Sequence, residues 1–223
     1  MSTLNQPNVS SLLDSLFTAA ENKDASMRRH LADRTPEERT ALLAGANTDY
    51  KKFYGDFAGD LFLPVSRETG RLLYVLARAT HAKHVVEYGT SFGLSTIHLA
   101  AAVKDNGGGR VIGSEFLASK VKVARENLAK ASLSEFVDIR EGDALETLSK
   151  DLPETIDLVL LDGAKVLYPK ILKLVEPRLS KTALIVADNA DDSPEYLATV
   201  RDPKNGYLSL PFASDVELSL RVG

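Results

Sequence analysis

The chain has 223 residues, enough for one domain that buries its own core without disulfides or a metal staple. Its 27 basic and 31 acidic side chains leave a formal charge of -4 and a pI near 5.6, which exclude a broad electrostatic footprint for nucleic-acid backbone. Cysteine is absent, which rules out a disulfide framework, a zinc-thiolate site and a nucleophilic thiol, and fits a reducing compartment.

The first residues lack a basic region followed by an apolar run, and no stretch approaches about eighteen uninterrupted apolar residues. A soluble, cytoplasmic protein without membrane association is expected. From Asn8 to Glu21, Val9, Leu12, Leu13, Leu16 and Phe17 recur at helical spacing. Thr35-Pro36-Glu37-Glu38 reads as a second helix start, with a capping threonine, proline at the first helical position and early acids. The aromatic-rich segment from Tyr50 to Leu63 has no clear period. Ser66-Arg67-Glu68-Thr69 then opens a helix through Leu72, Leu73, Val75 and Leu76.

From His84 onward short apolar runs alternate with helical patterns. His84 to Gly89, Arg110 to Phe116, Val137 to Asp143, Ile156 to Gly163 and Ala183 to Asn189 read as strands. A continuous run such as Leu158-Val159-Leu160-Leu161 points to a sheet covered on both faces, hence parallel and doubly wound. Tyr207 to Phe212 and Val216 to Val222, separated by Ala213-Ser214-Asp215, read as a closing antiparallel hairpin. The expected fold is α/β, a mostly parallel seven-stranded sheet with extra N-terminal helices. One domain is expected over 1–223: a helical extension over 1–62, serving as lid or dimer contact, and a cofactor-binding and catalytic core over 63–223.

In open α/β sheets the ligand crevice lies outside the carboxyl ends of the strands. Glu87, Glu115, Asp143, Asp162 and Asp188 all sit at such ends. Any one of them alone is an ordinary loop-starting residue, so the inference rests on the set. Gly89 and Gly93, in a strand-turn-helix segment, allow close backbone approach to a ligand. Neither the dinucleotide fingerprint nor the P-loop is present, which makes a phosphate cradle the weaker reading and argues against a nicotinamide oxidoreductase. Glu115 can take both hydroxyls of a ribose, which signals an adenosine moiety.

Two carboxylates and an amide oxygen, Asp162, Asp188 and Asn189, are hard ligands suited to Mg²⁺ or another oxygen-seeking divalent cation. Strand-end capping is the alternative. Lys165, three residues beyond Asp162, is the candidate base if it is not simply a solvated surface lysine.

The segments E-Y-G-T-S-F-G-L-S, E-G-D-A, L-D-G-A-K-x-x-Y and A-D-N, with the glutamate ending the second strand, resemble a known family: the S-adenosylmethionine-dependent O-methyltransferases of the catechol and caffeoyl-CoA type. The resemblance runs from about Leu63 to the C-terminus. It implies S-adenosylmethionine as cofactor, with Glu87, Gly89 and Ser95 bordering its methionine part and Val65 near the same end. It further implies Glu115 on the ribose, Asp143 and Ala144 by the adenine, Phe116 against the adenine face, and Asp162 among the cofactor contacts. Asp162, Asp188 and Asn189 match the family's cation ligands. Phe116 as core, Gly93 as a packing glycine and Ser95 as an ordinary first-turn residue remain alternatives, as does helix-start packing for Tyr168.

The match weakens after A-D-N, where Ala190 to Tyr196 replaces a hydrophobic stretch with tryptophan, and at Gly163, where a bulkier residue is common. With no tryptophan in the chain, an aromatic substrate wall must come from residues such as Tyr50, Phe53, Tyr54, Phe57, Tyr196 or Phe212. His81, His84 and His98 are read as structural or exposed. The leading expectation is cation-dependent methylation of an ortho-dihydroxy aromatic by a homodimer. A hydroxylated tRNA base as acceptor and a non-catalytic cofactor binder are the competing readings.

Overall fold

The computed structural model describes residues 2–35, 37–38, 48–57, 59–213 and 215–223, and a seven-stranded sheet organises them. Its strands are β1 (His84–Tyr88), β2 (Arg110–Glu115), β3 (Val137–Glu141), β4 (Ile156–Leu161), β5 (Leu179–Ala187), β6 (Tyr207–Phe212) and β7 (Val216–Arg221), in the order β3-β2-β1-β4-β5-β7-β6. The first five are mutually parallel, and β7 runs antiparallel to both β5 and β6. Ser214, in the expected hairpin turn, lies outside the described residues.

Helices α1 (Pro7–Ala32), α2 (Arg67–Ala79), α3 (Leu94–Asp105), α4 (Ala118–Lys130), α5 (Tyr168–Val175) and α6 (Pro194–Arg201) accompany the sheet. Val85, Leu158, Leu160, Leu184 and Val186 face one apolar cluster, which includes Val9, Leu13 and Phe17 of α1, Leu73 of α2 and Ile97 of α3. Their neighbours Val86, Val159, Leu161, Ile185 and Ala187 face a second cluster with Tyr168, Ile171 and Tyr196. Because successive strand residues point to opposite faces, a sheet covered on both sides needs apolar residues at consecutive positions.

α1 continues eleven residues past Glu21, where the apolar periodicity ends. Residues 22–32 contain no glycine or proline, so helix propensity carries them on. Asp24, 7% exposed, accepts hydrogen bonds from the Phe62 and Leu63 amides (3.0 and 2.9 Å) and ties α1 to the chain entering α2. At α2 the Ser66 hydroxyl accepts from the Thr69 amide, the cap the sequence indicates. Thr35 and Glu38 form the reciprocal bonds of a capping box (3.0 and 3.2 Å), while Pro36 lies outside the described residues. The segment without a clear period forms a short helical turn at Tyr50–Lys52 and a wider one at Phe53–Phe57. Among the described residues no helix is long and apolar enough to cross a membrane.

Candidate active site

Strand order reverses between β1 and β4, and a crevice opens beyond the carboxyl ends of β1 to β4. It encloses about 670 Å³, its open mouth included. Gly89 at its floor has a φ of +98°, and a Cβ there would stand 2.4 Å from the Asp162 carbonyl oxygen. Only glycine permits both the turn and the approach of β1 to β4.

Glu87 is fully buried beneath this turn. Its carboxylate accepts hydrogen bonds from Thr90 Oγ1 (2.9 Å), Ser95 Oγ (2.7 Å) and Thr96 Oγ1 (2.5 Å), binding the end of β1 to the start of α3. Burial pushes the Glu87 carboxyl up, and the three hydroxyls pull it back down. The side chains of Glu87 and Ser95 therefore point at each other, not along the crevice wall. Val65, 1% exposed, lies beside Phe17 and Asp24 in a separate groove under α1. The crevice wall does bring together Gly89, Glu115, Phe116, Asp143, Ala144 and Asp162.

Glu115 is held rigidly, its two carboxylate oxygens accepting from the Ser91 amide (2.8 Å) and the Leu117 amide (2.9 Å). Phe116 is 38% exposed on the wall and is not a core residue. Asp143 caps the one-turn helix Ala144–Thr147, accepting from the Leu145 amide at 3.0 Å. Its other oxygen accepts from Lys51 Nζ (2.7 Å) and Tyr50 Oη (3.2 Å). Burial would raise the Asp143 carboxyl, but these partners hold it below its ordinary value. Residues 50–54 thus close one side of the crevice. Tyr54 reaches its far end, where burial and then the charges of Asp162, Asp192 and Glu115 push its hydroxyl up to about 12.

At that end β4 delivers Asp162 and β5 delivers Asp188. The Asp162 amide donates to the Tyr88 carbonyl (2.8 Å) and the Asp188 amide to the Leu161 carbonyl (2.9 Å). Tyr168, fully buried, sets its hydroxyl 2.8 Å from both the Leu161 and Asp188 carbonyl oxygens and so joins the two strand ends. Lys165 Nζ stands 3.3 Å from Asp162 Oδ1 and 5.2 Å from the centre of the Tyr168 ring. Asn189 adopts a left-handed backbone, and its amide nitrogen donates to Asp215 Oδ2 (3.1 Å), leaving the amide oxygen as the group able to ligate. Burial raises both the Asp162 and Asp188 carboxyls; each also feels the other's charge or that of a further nearby acid, and Lys165 opposes the rise at both. Among the described residues no three His, Cys, Asp or Glu side chains converge as a metal cluster. The donor set is two crowded, buried carboxylates and one amide, hard oxygens that a small divalent cation would relieve of mutual repulsion.

Of the aromatic candidates, Tyr50 and Tyr54 line the crevice and Phe53 packs edge-on against Tyr54. Tyr196 is buried edge-on to Tyr168, and Phe212 is exposed on the edge strand β6. The Phe57 side chain lies outside the described residues. Gly163 has a steric explanation: a Cβ there would meet Tyr88 Cζ at 2.4 Å, so the Tyr88 ring fills the place of a side chain. Sequence reasoning missed Tyr88 and Lys120 as crevice residues. For Lys120 the available signal was its place in the first turn of the helix that follows the Glu115 strand end.

A model of a methyltransferase domain matches residues 86–190, from β1 through the strand-end acids. A catechol O-methyltransferase of Niastella koreensis is 34% identical over 168 residues, covering 74% of this chain and 72% of that protein. A catechol O-methyltransferase of Mycobacterium tuberculosis is 35% identical over 127 residues, 57% of each chain. The crystal structure of an O-methyltransferase from Bacillus cereus in complex with SAH shares the fold, with a TM-score of 0.67 at 20% identity over 82% of this chain and 97% of that one. With the crevice at the strand ends and relatives of this extent, the chain belongs to the S-adenosylmethionine-dependent O-methyltransferases of the catechol and caffeoyl-CoA type.

Proposed function

We propose that this enzyme methylates one hydroxyl of an ortho-dihydroxy aromatic with the help of a divalent cation, and that Lys165 is its base. The observation that carries this reading is the meeting of Asp162, Asp188 and Lys165 at the end of the crevice that Glu115 and Asp143 line. Asp162, Asp188 and Asn189 would hold the cation. When bound, it supplies Lewis-acid polarisation of the substrate oxygens, and the cofactor supplies an electrophilic methyl group.

Glu115, pinned by two amides, and Asp143, fixed at a helix cap, orient the adenosine part and with it the reacting carbon. Lys165 Nζ accepts the proton of the attacking hydroxyl. With the cofactor bound, that oxygen would take the methyl group as the carbon–sulfur bond breaks, the electron pair of that bond staying on sulfur. Tyr50 and Tyr54 limit entry of water on the crevice side they cover. The test is methyl transfer from labelled S-adenosylmethionine to a panel of ortho-diphenols, with Mg²⁺ and with EDTA. Transfer that EDTA abolishes and Mg²⁺ restores is expected. Cofactor binding without transfer to any diphenol would refute the proposed acceptor class.

A further inference from the structure

Lys120 lies in the first turn of α4 and is only 4% exposed, yet it belongs to the crevice wall. Among the described residues it is the only cation on that wall, beside the acids Glu115, Asp143 and Asp162. Lys51 and Lys165 are already engaged by Asp143 and Asp162. The Lys120 ammonium has no carboxylate ion-pair partner among the described residues. Its contacts are Ser91 Oγ at 3.3 Å and the Phe92 ring at 5.3 Å. Burial pushes its pKa down, while the fields of Glu115, Asp24, Asp162 and Asp60 favour its charge. A buried lysine with one weak polar contact, beside a crevice wide enough for a ligand, is a site prepared for an anion.

The cofactor brings one anionic group, the α-carboxylate of its methionine part. With the adenosine along Glu115, Phe116 and Asp143, the amino-acid tail would extend toward the Gly89–Gly93 turn, where Ser91 stands beside Lys120. Of the residues the resemblance places at this end, Ser95 Oγ donates to Glu87 and Val65 lies in the groove under α1. We propose that Lys120 binds the α-carboxylate of the cofactor. This inference rests on the crevice being the cofactor site.

Calorimetry with S-adenosylhomocysteine and with 5′-methylthioadenosine separates the possibilities, since the second ligand keeps the adenine, ribose and thioether and lacks the amino-acid tail. Lys120→Met should weaken S-adenosylhomocysteine about 10- to 100-fold, the loss of one charge-assisted contact. It should leave 5′-methylthioadenosine within about threefold, and retained binding of that ligand shows that the crevice is folded. Lys120→Arg, which keeps the charge, should recover most of the affinity. Equal weakening of both ligands, or none, would overturn the assignment. A wild-type protein that binds neither ligand would instead overturn the placement of the cofactor in this crevice.

Discussion

Gly163→Ala adds one methyl group, and the structure specifies what that methyl meets. The new Cβ would lie 2.4, 2.5 and 2.7 Å from Cζ, Cε1 and Cε2 of Tyr88, against an ordinary carbon contact of about 3.5–4.0 Å. The ring must therefore withdraw by about 1 Å. It has little freedom, because it stands edge-on to Tyr168 at 6.3 Å and its hydroxyl is 3.4 Å from the Ala164 carbonyl. Gly163 itself lies outside the left-handed region, so alanine brings no backbone strain, and any loss comes from the ring. Overpacking of this kind costs about 1–3 kcal/mol. In a chain of this length 2 kcal/mol lowers Tm by about 4–8 °C. Tyr88→Ala removes the obstacle at a cost of its own, about 3–5 kcal/mol for a large buried side chain. The double variant should then be more stable than the sum of the two single losses by about 1–2 kcal/mol. Urea unfolding of all four proteins measures this coupling. Strict additivity, or a Gly163→Ala protein as stable as the parent, would refute the steric account.

Lys165→Met should lower kcat by about 10²- to 10⁴-fold while leaving the affinity for S-adenosylmethionine nearly unchanged, as expected for a lost general base. Single-turnover kinetics with calorimetry checks both, and a loss under about threefold would remove Lys165 from the role. Asp188→Ala should raise the Mg²⁺ concentration for half-maximal activity by at least about tenfold with S-adenosylhomocysteine binding retained, and an unchanged Mg²⁺ titration would dismiss the cation site. Burial holds His98 down to about 4, against 6.5 ordinarily, despite its hydrogen bond to the Leu94 carbonyl. Because the unfolded chain binds this proton first, the contribution of neutral His98 is complete above about pH 6.5 and is lost as pH falls toward 4. The loss is about 3 kcal/mol over that window. Stability against pH for His98→Gln should be flatter than for the parent between those limits, and parallel curves would contradict the burial argument.

Local patterns carried much of this molecule. The run Leu158 to Leu161 and its counterparts determined strands covered on both faces, and the cap at Ser66 marked the start of α2. The strand-end acids pointed to one edge of a parallel sheet, because chain direction alone puts every such end on the same side. What those acids do at that edge depends on neighbours remote in sequence, and only packing chose them. Glu87 turned inward because Thr90, Ser95 and Thr96 meet it beneath the turn, whereas Glu115 stayed on the wall. Gly163 is explained by a tyrosine 75 positions earlier, brought beside it by the pairing of β1 with β4. Lys120 reads in the sequence as one more helical lysine. Its burial beside Ser91 arises only when α4 packs across the glycine turn, since a charge's surroundings belong to the tertiary structure and not to the residue.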